Sequence, residues 1–331
     1  MQLKDILKTH SFNGQVLLSK GEQIIDKAAH GYRDIENQIP MTLDTRIRIA
    51  SVSKQFTAVA MLLLAYQGKC SLDDTLDTYF PHYQHGSKIT IHQLLCNSSG
   101  IAPYELFADY STYFAKDYFY EVFVDDVVFP LGLSFEPGTA YEYSGSGYMV
   151  LTRLIELISG EPFDVHLKHA LFEPLHMKDT DFDHNDPSDH LAVPYDVNEG
   201  QIVDAMPIDM RLAGGGGGCF STVLDLHKWN QSLFDCTLLP QEWINKLFVK
   251  YTPINEYVSY GYGFFLASDT NETPPVNYNY HTGGGPGARS ISSLFVDYGY
   301  QLIMLSNVND RTTFDKVRSE LYQILYQGDI L

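Results

Sequence analysis

The sequence predicts an α/β (α+β) protein with an antiparallel sheet built from both chain ends, flanked by helices, and a mainly helical subdomain inserted between them. Strand-like alternation occurs near the N-terminus and returns near the C-terminus. Between them, short helical patterns alternate with Pro and Gly. Only the glycines at 214–218 form a low-complexity run, so we expect a single domain over 1–331. Its α/β part is expected at about 1–69 and 205–331, and its helical subdomain at about 70–204.

The first elements are a hairpin and a buried helix. The stretch "GQVLLSKGEQIIDKAAHGYRD", residues 14–34, has two alternating apolar runs around a Lys-Gly-Glu turn, which predicts a β-hairpin. "QFTAVAMLLLAYQ", residues 55–67, is apolar on nearly all sides, which is typical of a helix buried on every face. We expect this helix to begin near Ser51 and to end at Gly68.

The later elements are an amphipathic helix, a second helix, three strands and a closing helix. "SGYMVLTRLIELISG" predicts a helix that ends at Gly160 and Pro162. "VLDLHKWNQSLF" predicts a second one, at 223–234. Strand patterns and a last helix follow: "YGYGFFLAS", "ARSISSLFVDYG", "YQLIMLSNV" and "TTFDKVRSELYQILYQ". The short connection "DYGY" predicts that the last two strands form a hairpin.

Charge and composition exclude several classes of protein. The chain has 331 residues, 44% of them apolar, and a formal net charge of −19. It has no basic stripe to neutralise phosphates, so we expect no nucleic-acid partner. The run "AVAMLLLAY" is far shorter than the roughly 18–20 residues that span a bilayer, so no membrane insertion is expected. Oligomeric state is left open.

The N-terminal stretch and the cysteines bear on the compartment. "MQLKDILKTHSFNG" lacks the apolar core and cleavage site of a signal peptide. The expectation is a cytoplasmic protein as given, or an extracytoplasmic one if a leader has been removed. The four cysteines form no C-x-x-C pair and are expected to be reduced.

One stretch invites a metal interpretation. In "DFDHNDPSDH", residues 181–190, the side chains of His184, Asp186 and His190 are conceivable ligands. Their spacing fits no known motif, and a solvated acidic loop is the favoured interpretation. The pair His82 and His85 is treated the same way. We therefore expect no metal and no cofactor.

A serine and a lysine three residues apart stand where the buried helix begins. Ser51 and Lys54 share one helix face at this spacing. A serine hydroxyl is a weak nucleophile until a base takes its proton, and a lysine desolvated by apolar neighbours can serve. The alternative is a helix-capping serine beside a solvated lysine, since S-x-x-K occurs about once by chance in a chain of this length.

A tyrosine motif follows in "YEYSGSGY", residues 141–148. Tyr143 precedes a Gly/Ser-rich turn and then a helix. A tyrosine held near a lysine ammonium has its phenolate favoured, so Tyr143 is a candidate general base. The alternative is aromatic packing, in a chain that has 23 tyrosines. Gly145, in the turn after Tyr143, is a candidate substrate-binding position.

Near the C-terminus, "HTGGGPGARS", residues 281–290, runs into a predicted strand. Consecutive glycines at a strand start let a ligand approach the backbone closely. The amides of Gly284 and Ser51 are candidates for an oxyanion hole. The alternative is a plain glycine-rich turn.

Further substrate-binding candidates lie in the same stretch. His281, Thr282 and Gly283 are positioned to line a pocket, and Arg289 is a candidate partner for a substrate carboxylate. For Arg289 the alternative of a surface arginine on a strand stays open.

Taken together, Ser-x-x-Lys, Tyr-Ser-x and His-Thr-Gly in this order resemble the serine β-lactamase and penicillin-binding-protein superfamily. The wider pattern is most similar to its class C-like branch, which holds class C β-lactamases, D-Ala-D-Ala carboxypeptidases, D-aminopeptidases and β-lactamase-fold esterases. Supporting stretches cover nearly the whole chain: "TRIRIASVSKQFTA", "GKCSLDDTLDTYFP", "ITIHQLLCNSSGI", "EPGTAYEYSGSGYMVLTRLIELISG", "AGGGGGCFSTVLDLHKW" and "YGYGFF".

The resemblance implies a β-lactamase/transpeptidase-like fold and a mechanism. Ser51 would be acylated, with Lys54 and Tyr143 sharing proton transfer. The amides of Ser51 and Gly284 would hold the oxyanion, and water would release the acyl group. The substrate would be a small molecule or a peptide.

Two positions depart from the family pattern. Gly145 stands where the family motif Tyr-x-Asn has its asparagine, and His281 stands where class C β-lactamases usually have lysine. A missing amide weakens recognition of peptide-like substrates. The leading hypothesis is therefore an esterase acting on small or amphipathic esters. A D-amino-acid carboxypeptidase or aminopeptidase, a class C β-lactamase and a non-catalytic binding or regulatory protein remain as alternatives.

Overall fold

The computed structural model describes residues 2–104, 119–185, 190–270 and 275–327. Its α-helices, labelled α1 to α9, are Leu3–Thr9, Ser53–Tyr66, Ile91–Leu95, Phe119–Phe123, Gly145–Ser159, Phe163–Leu167, Val223–Phe234, Gln241–Leu247 and Arg311–Gln327. Its strands, labelled β1 to β16, are Gly14–Lys20, Gln23–His30, Tyr32–Asp34, Ile39–Pro40, Ile47–Arg48, Asp181–Phe182, Tyr195–Asn198, Gln201–Asp204, Cys219–Ser221, Thr252–Pro253, Val258–Tyr260, Phe265–Asp269, Val276–Gly285, Ala288–Phe295, Tyr300–Ser306 and Val308–Asn309.

An eight-stranded antiparallel sheet organises the fold. Its strand order is β10-β11-β12-β13-β14-β15-β1-β2, so strands from the two chain ends meet between β15 and β1. In register, Leu17 of β1 pairs with Ile303 of β15 on one side and with Lys27 of β2 on the other. The expected sheet from both chain ends is confirmed, as are the hairpins β1–β2 and β14–β15.

The two faces of the sheet pack against different layers. Leu17, Ile303 and Leu305 contribute to a core that includes α2 and the inserted helices. Their neighbours Leu18 and Met304 point the other way, into a second core that α1 and α9 cover. Because both faces of the sheet are covered, β1 and β15 are buried along nearly their whole length and carry the apolar runs Val16–Leu18 and Leu302–Leu305. Each such side chain contributes about 1.5–3 kcal/mol by leaving water.

Helix α2 runs through the larger core, as its apolar surface predicted. All of its residues from Ser53 to Ala65 are buried. Phe56 makes edge-to-face contacts with Trp229 at 4.7 Å and with Phe172 at 5.1 Å between ring centroids. The helix ends as expected at Gly68, which has φ +72° and donates its amide to Ala65. Burial on every face fixes α2 and its first turn in place.

The inserted segment is mainly helical. Helix α5 begins after Ser144, whose Oγ accepts the amide of Gly147 at 2.8 Å, and it ends at Gly160 with φ +79°. Helix α3 begins with a capping box between Thr90 and Gln93. Each cap satisfies a backbone group that the helix end leaves open.

Two of the histidines considered as metal ligands each contact a single carboxylate. His184 lies 3.1 Å from Asp164, and His82 lies 3.0 Å from Asp125. The expectation for Asp186 falls outside the described residues. All four cysteines are free thiols. Within the described ranges, no helix combines the length and apolarity needed to cross a membrane.

Candidate active site

Ser51 lies in a strained turn ahead of α2. A short 3₁₀ helix, Ala50–Val52, leads into α2, and Ala50 has φ +44°, a left-handed conformation that costs a non-glycine residue about 1–3 kcal/mol. Ser53 stabilises the turn by donating its Oγ to the Ala50 carbonyl at 2.7 Å and accepting the Cys219 amide at 3.2 Å. Ser53 is therefore directed away from Ser51, and Ser51 lines a cavity.

Lys54 lies beside Ser51, one turn along the helix. Its Nζ is 3.4 Å from Ser51 Oγ and donates to the carbonyl of Gly216 at 2.7 Å. Only 2% of Lys54 is exposed. The Gly216 carbonyl therefore holds the amine at the position from which it reaches the serine hydroxyl.

Two tyrosine rings surround the amine. Lys54 Nζ is 4.6 Å from the ring centroid of Tyr143 and 5.0 Å from that of Tyr148, within the range of cation–π attraction. The Tyr143 ring stacks on Phe265 at 6.2 Å and meets the edge of Tyr260 at 6.4 Å. The ring of Tyr143 therefore lies beside Lys54, and Tyr143 lines the same cavity as Ser51.

Asn97 holds the backbone on both sides of Tyr143. Its carbonyl accepts the amide of Glu142 at 3.1 Å, and its Oδ1 accepts the amide of Ser144 at 3.2 Å. Asn97 is 1% exposed and has φ +56°, a left-handed conformation that asparagine tolerates better than most residues. The sequence analysis missed this residue, although an Asn within "CNSSG" is a recognisable turn signal.

The glycine run orients the carbonyl that holds Lys54. Gly215 accepts from Thr57 Oγ1 at 2.7 Å, and its amide donates to Thr152 Oγ1 at 2.8 Å. A Cβ on Gly215 would lie 2.5 Å from Thr57 Oγ1, so a side chain is excluded there. The run thereby docks between α2 and α5 and directs Gly216 toward Lys54. Sequence analysis noted the run but assigned it no role.

Strand β13 approaches the Ser51 turn from the opposite side. A Cβ on Gly283 would lie 2.2 Å from both the Ile49 carbonyl oxygen and Ser290 Oγ. Ser290 Oγ donates to that same carbonyl at 2.6 Å. Gly283 thus lets β13 contact the turn directly, and Gly284, the next residue, reaches the cavity that Ser51 lines.

These elements enclose a cavity of about 370 Å³. Five of the residues predicted from sequence line it together: Ser51, Lys54, Tyr143, Gly145 and Gly284. The other lining residues are Arg48, Ala50, Tyr104, Ile208, Met210, Leu212, Ala213, Gly216, Gly217, Gly285, Pro286 and Ala288. Most of them are apolar, so the cavity suits an apolar group next to the nucleophile.

His281 and Thr282 are not among the described lining residues, and neither are Gly283 and Arg289. His281 lies behind Tyr143, 1% exposed, with its Nδ1 2.7 Å from the Thr282 carbonyl and its Nε2 3.1 Å from the Tyr260 hydroxyl. Burial and the nearby Lys54 lower the pKa of His281 to about 3. The ring is therefore neutral. Its Nδ1 must donate to the carbonyl, so Nε2 accepts from Tyr260.

Arg289 occupies the far side of Gly284. Its Nε donates to Asn309 Oδ1 at 2.7 Å, and its Nη1 lies 2.8 Å from where a Cβ on Gly284 would be. Burial and the charge of Arg311 lower the pKa of the Arg289 guanidinium. Arg289 therefore packs against the Gly284 backbone.

Arg48 is the guanidinium that the structure places on the cavity wall. It precedes Ser51 by three residues on β5, and its Nε donates to Asp183 Oδ2 at 2.7 Å. The side chains of Arg48 and Asp183 are 14% and 2% exposed. Sequence analysis missed Arg48 because the pairing partner lies 135 positions away along the chain.

The sequence model of the beta-lactamase family matches residues 4–327. The chain belongs to the beta-lactamase family. Penicillin-binding protein 4* of Bacillus subtilis (strain 168) is 28% identical to this family member over 327 residues, which cover 93% of this chain and 70% of that protein. The resemblance drawn from the ordered motifs is therefore confirmed.

Solved structures agree with the fold. A penicillin-binding protein from Bacillus halodurans superimposes with a TM-score of 0.84 at 24% identity, covering 98% of this chain and 99% of the other. A D-amino acid amidase from Ochrobactrum anthropi SV3 superimposes with a TM-score of 0.83 at 26% identity, covering 98% and 96%. The expected β-lactamase/transpeptidase-like fold is confirmed.

Proposed function

We propose that this beta-lactamase family member is a serine hydrolase that cleaves small or amphipathic esters through an acyl-enzyme on Ser51. The observation that carries the proposal is the 3.4 Å contact between Ser51 Oγ and the buried Lys54 Nζ at the wall of a cavity that Tyr143 also lines. A nucleophile within reach of a base, and a base oriented by a third group, is the arrangement that covalent catalysis needs.

Acylation begins when Ser51 Oγ attacks the ester carbonyl carbon. Lys54 and Tyr143 share the proton that leaves Ser51, and the same proton passes to the alcohol oxygen as the carbon–oxygen bond of the ester breaks. The carbonyl oxygen, negatively charged in the tetrahedral intermediate, is held by the amides of Ser51 and Gly284. Such donors stabilise charge that appears only in the transition state.

Deacylation repeats these steps with water. Water attacks the acyl carbon, gives up a proton to Lys54 and Tyr143, and the proton returns to Ser51 Oγ as the acyl bond breaks. The product is a carboxylic acid, and the enzyme returns to its starting state. The Gly216 carbonyl and the two tyrosine rings keep Lys54 at the same position through both halves of the cycle.

Two features of the cavity favour esters over amides of amino acids. Gly145 provides no side-chain amide to bind a peptide carbonyl. Among the described residues that line the cavity there is no carboxylate to bind the ammonium group of an amino acid amide. An ester is also a more reactive acyl donor, so fewer substrate contacts are needed for its turnover.

Hydrolysis of D-amino acid amides is the second candidate function. The likeness to a D-amino acid amidase, at 26% identity over 98% of this chain, supports it. A class C β-lactamase activity is a weaker candidate because His281, at the usual lysine position, is buried and neutral.

The test is hydrolysis of p-nitrophenyl acetate by the wild type, by Ser51→Ala and by Ser87→Ala. Ser87 is exposed and lies outside the described cavity lining, so it is the matched control. We expect Ser51→Ala to lose turnover by on the order of 10³-fold or more and Ser87→Ala to retain it. Intact-protein mass spectrometry should detect an acyl adduct on the wild type and on Ser87→Ala, and none on Ser51→Ala.

Full ester turnover by Ser51→Ala would overturn the proposal. A parallel panel of D-phenylalanine amide and a chromogenic cephalosporin separates the candidates. Faster turnover of the amide than of the ester would favour the amidase. An absence of both turnover and adduct would favour a binding or regulatory protein.

A further inference from the structure

The charged side chains that line the cavity differ in sign from the protein as a whole. The chain has 41 acidic and 22 basic side chains, yet the described cavity lining holds Arg48 and Lys54 and no carboxylate. Asp183, the carboxylate that Arg48 contacts, lies outside this lining, so the charged groups that face the cavity are cationic and favour an anionic ligand group. Lys54 is occupied by the Gly216 carbonyl, Ser51 Oγ and the two tyrosine rings. Arg48 is therefore the side chain to examine as a ligand for an anion.

Arg48 is paired in a way that leaves most of its donors for another group. Arg48 donates one hydrogen bond to Asp183, from Nε to Oδ2, at 2.7 Å. An arginine has five N–H donors, and the four on the terminal nitrogens of Arg48 make no hydrogen bond to any described residue. The other oxygen of Asp183 accepts the amide of Asn185 at 2.7 Å, which fixes the carboxylate from behind. The guanidinium is thus oriented before any ligand arrives.

We infer that Arg48 binds a carboxylate on the substrate, so the favoured substrates are esters with an anionic group on the acyl side. A guanidinium recognises a carboxylate by two parallel charge-assisted hydrogen bonds. Arg48 lies three residues before Ser51 and both line the cavity, so one short substrate can reach both. The carboxylate is assigned to the acyl chain because that part of the substrate stays attached to Ser51 in the acyl-enzyme. This inference rests on the proposed ester hydrolysis, and it specifies the substrate class.

The test compares two p-nitrophenyl esters with acyl chains of five carbons. The glutaric acid monoester carries a carboxylate at the far end of the chain, and the valerate ester carries a methyl group there. We expect the wild type to show a kcat/KM for the glutarate ester roughly 10-fold or more above that for the valerate ester. The ratio is independent of the fraction of folded enzyme, since both esters are assayed on one preparation.

The variants are designed to leave no buried charge unpaired. Arg48→Gln alone would strand Asp183, so it is combined with Asp183→Asn, which keeps the oxygen that Asn185 binds. We expect the double variant to lower the ratio about 10-fold while valerate turnover continues. Arg289→Gln is the matched control, because Arg289 is the guanidinium on the other side of Gly284. The ratio of this variant should equal that of the wild type.

Three outcomes overturn the inference. One is a wild-type ratio near 1, and another is a ratio that the double variant leaves unchanged. The third is a ratio that falls in Arg289→Gln instead, which would place the carboxylate at Arg289. If neither ester is turned over, the proposed function fails. The anion site is then tested separately, by calorimetric measurement of monomethyl glutarate binding to the Ser51→Ala protein. Binding to Ser51→Ala that is lost when Arg48→Gln and Asp183→Asn are added supports the anion site. Absence of binding to Ser51→Ala itself refutes it.

Discussion

Replacement of Gly283 by alanine should disable the catalytic turn while the fold persists. A Cβ at this position would lie 2.2 Å from the Ile49 carbonyl oxygen, whereas Cβ contacts below 3.0 Å are essentially not found. Strand β13 and the Ser51 turn must therefore separate by about 0.8 Å. Ser51 follows Ile49 by two residues, and Gly284 follows Gly283, so the shift falls on the nucleophile and the proposed oxyanion donor together.

The expected magnitude follows from this displacement. A misplacement of about 1 Å costs on the order of 100-fold in rate, so kcat for p-nitrophenyl acetate should fall by that factor. Overpacking of this kind lowers the free energy of unfolding by about 1–3 kcal/mol, which leaves a folded protein. The expected effect on rate is thus much larger than the effect on the folded fraction.

The assay measures kcat and thermal unfolding for Gly283→Ala and Gly285→Ala. Gly285 lies two residues further along the same strand, and its added Cβ would meet nothing within 4 Å. Gly285→Ala should therefore unfold like the wild type and keep kcat within about threefold. Gly285 also lines the cavity, so the added methyl group is expected to change KM rather than kcat. Equal kcat values for the two variants would refute the argument that close approach of β13 positions Ser51.

Two further predictions concern the groups around Tyr143. Asn97→Ala should lower kcat about 10-fold with little change in KM, because the backbone beside Tyr143 loses its bond to Oδ1. Asn97→Gly accepts the left-handed conformation but also lacks Oδ1, so it should lose as much. Wild-type kcat in Asn97→Gly would contradict the positioning role of Oδ1. His281 has its pKa lowered to about 3 from an ordinary value near 6.5, so the unfolded chain binds a proton first as pH falls. The stability that neutral His281 contributes is complete above pH 6.5 and is lost toward pH 3. The melting temperature of His281→Gln should therefore decline less steeply than that of the wild type over this window.

The local patterns were sufficient to predict the elements and their layers. The alternation in residues 14–34 and the short connection 297–300 specify hairpins whatever surrounds them. The all-apolar surface of α2 predicted a helix buried on every side. The helix begins at Ser53 and ends at Tyr66, each within two residues of the positions that Ser51 and Gly68 indicated. These features depend on neighbours within a few residues, which the sequence displays directly.

Long-range pairings could not be predicted in this way. Arg48 and Asp183 are individually unremarkable charged residues, and only the fold shows that they form a buried pair in which Arg48 lines the cavity. Arg289 attracted attention because it follows a glycine motif, yet its Nε is bound to Asn309. A contact between residues far apart in the chain leaves no periodic trace, so spacing alone could not distinguish the two arginines.

The order of strands in the large sheet has a consequence for biosynthesis. Strand β1 leaves the ribosome well before its partner β15, because Gly14 pairs with Ser306 and the two residues are far apart in the chain. Until then β1 and β2 form an isolated hairpin, whose stability in water is marginal. The apolar helix α2 meanwhile lacks the complete sheet that covers it in the folded protein. Folding that depends on such distant contacts is slow and leaves apolar surface exposed during synthesis. The last hairpin to be made therefore completes the sheet that carries the site, and nascent chains should depend on chaperones until it appears.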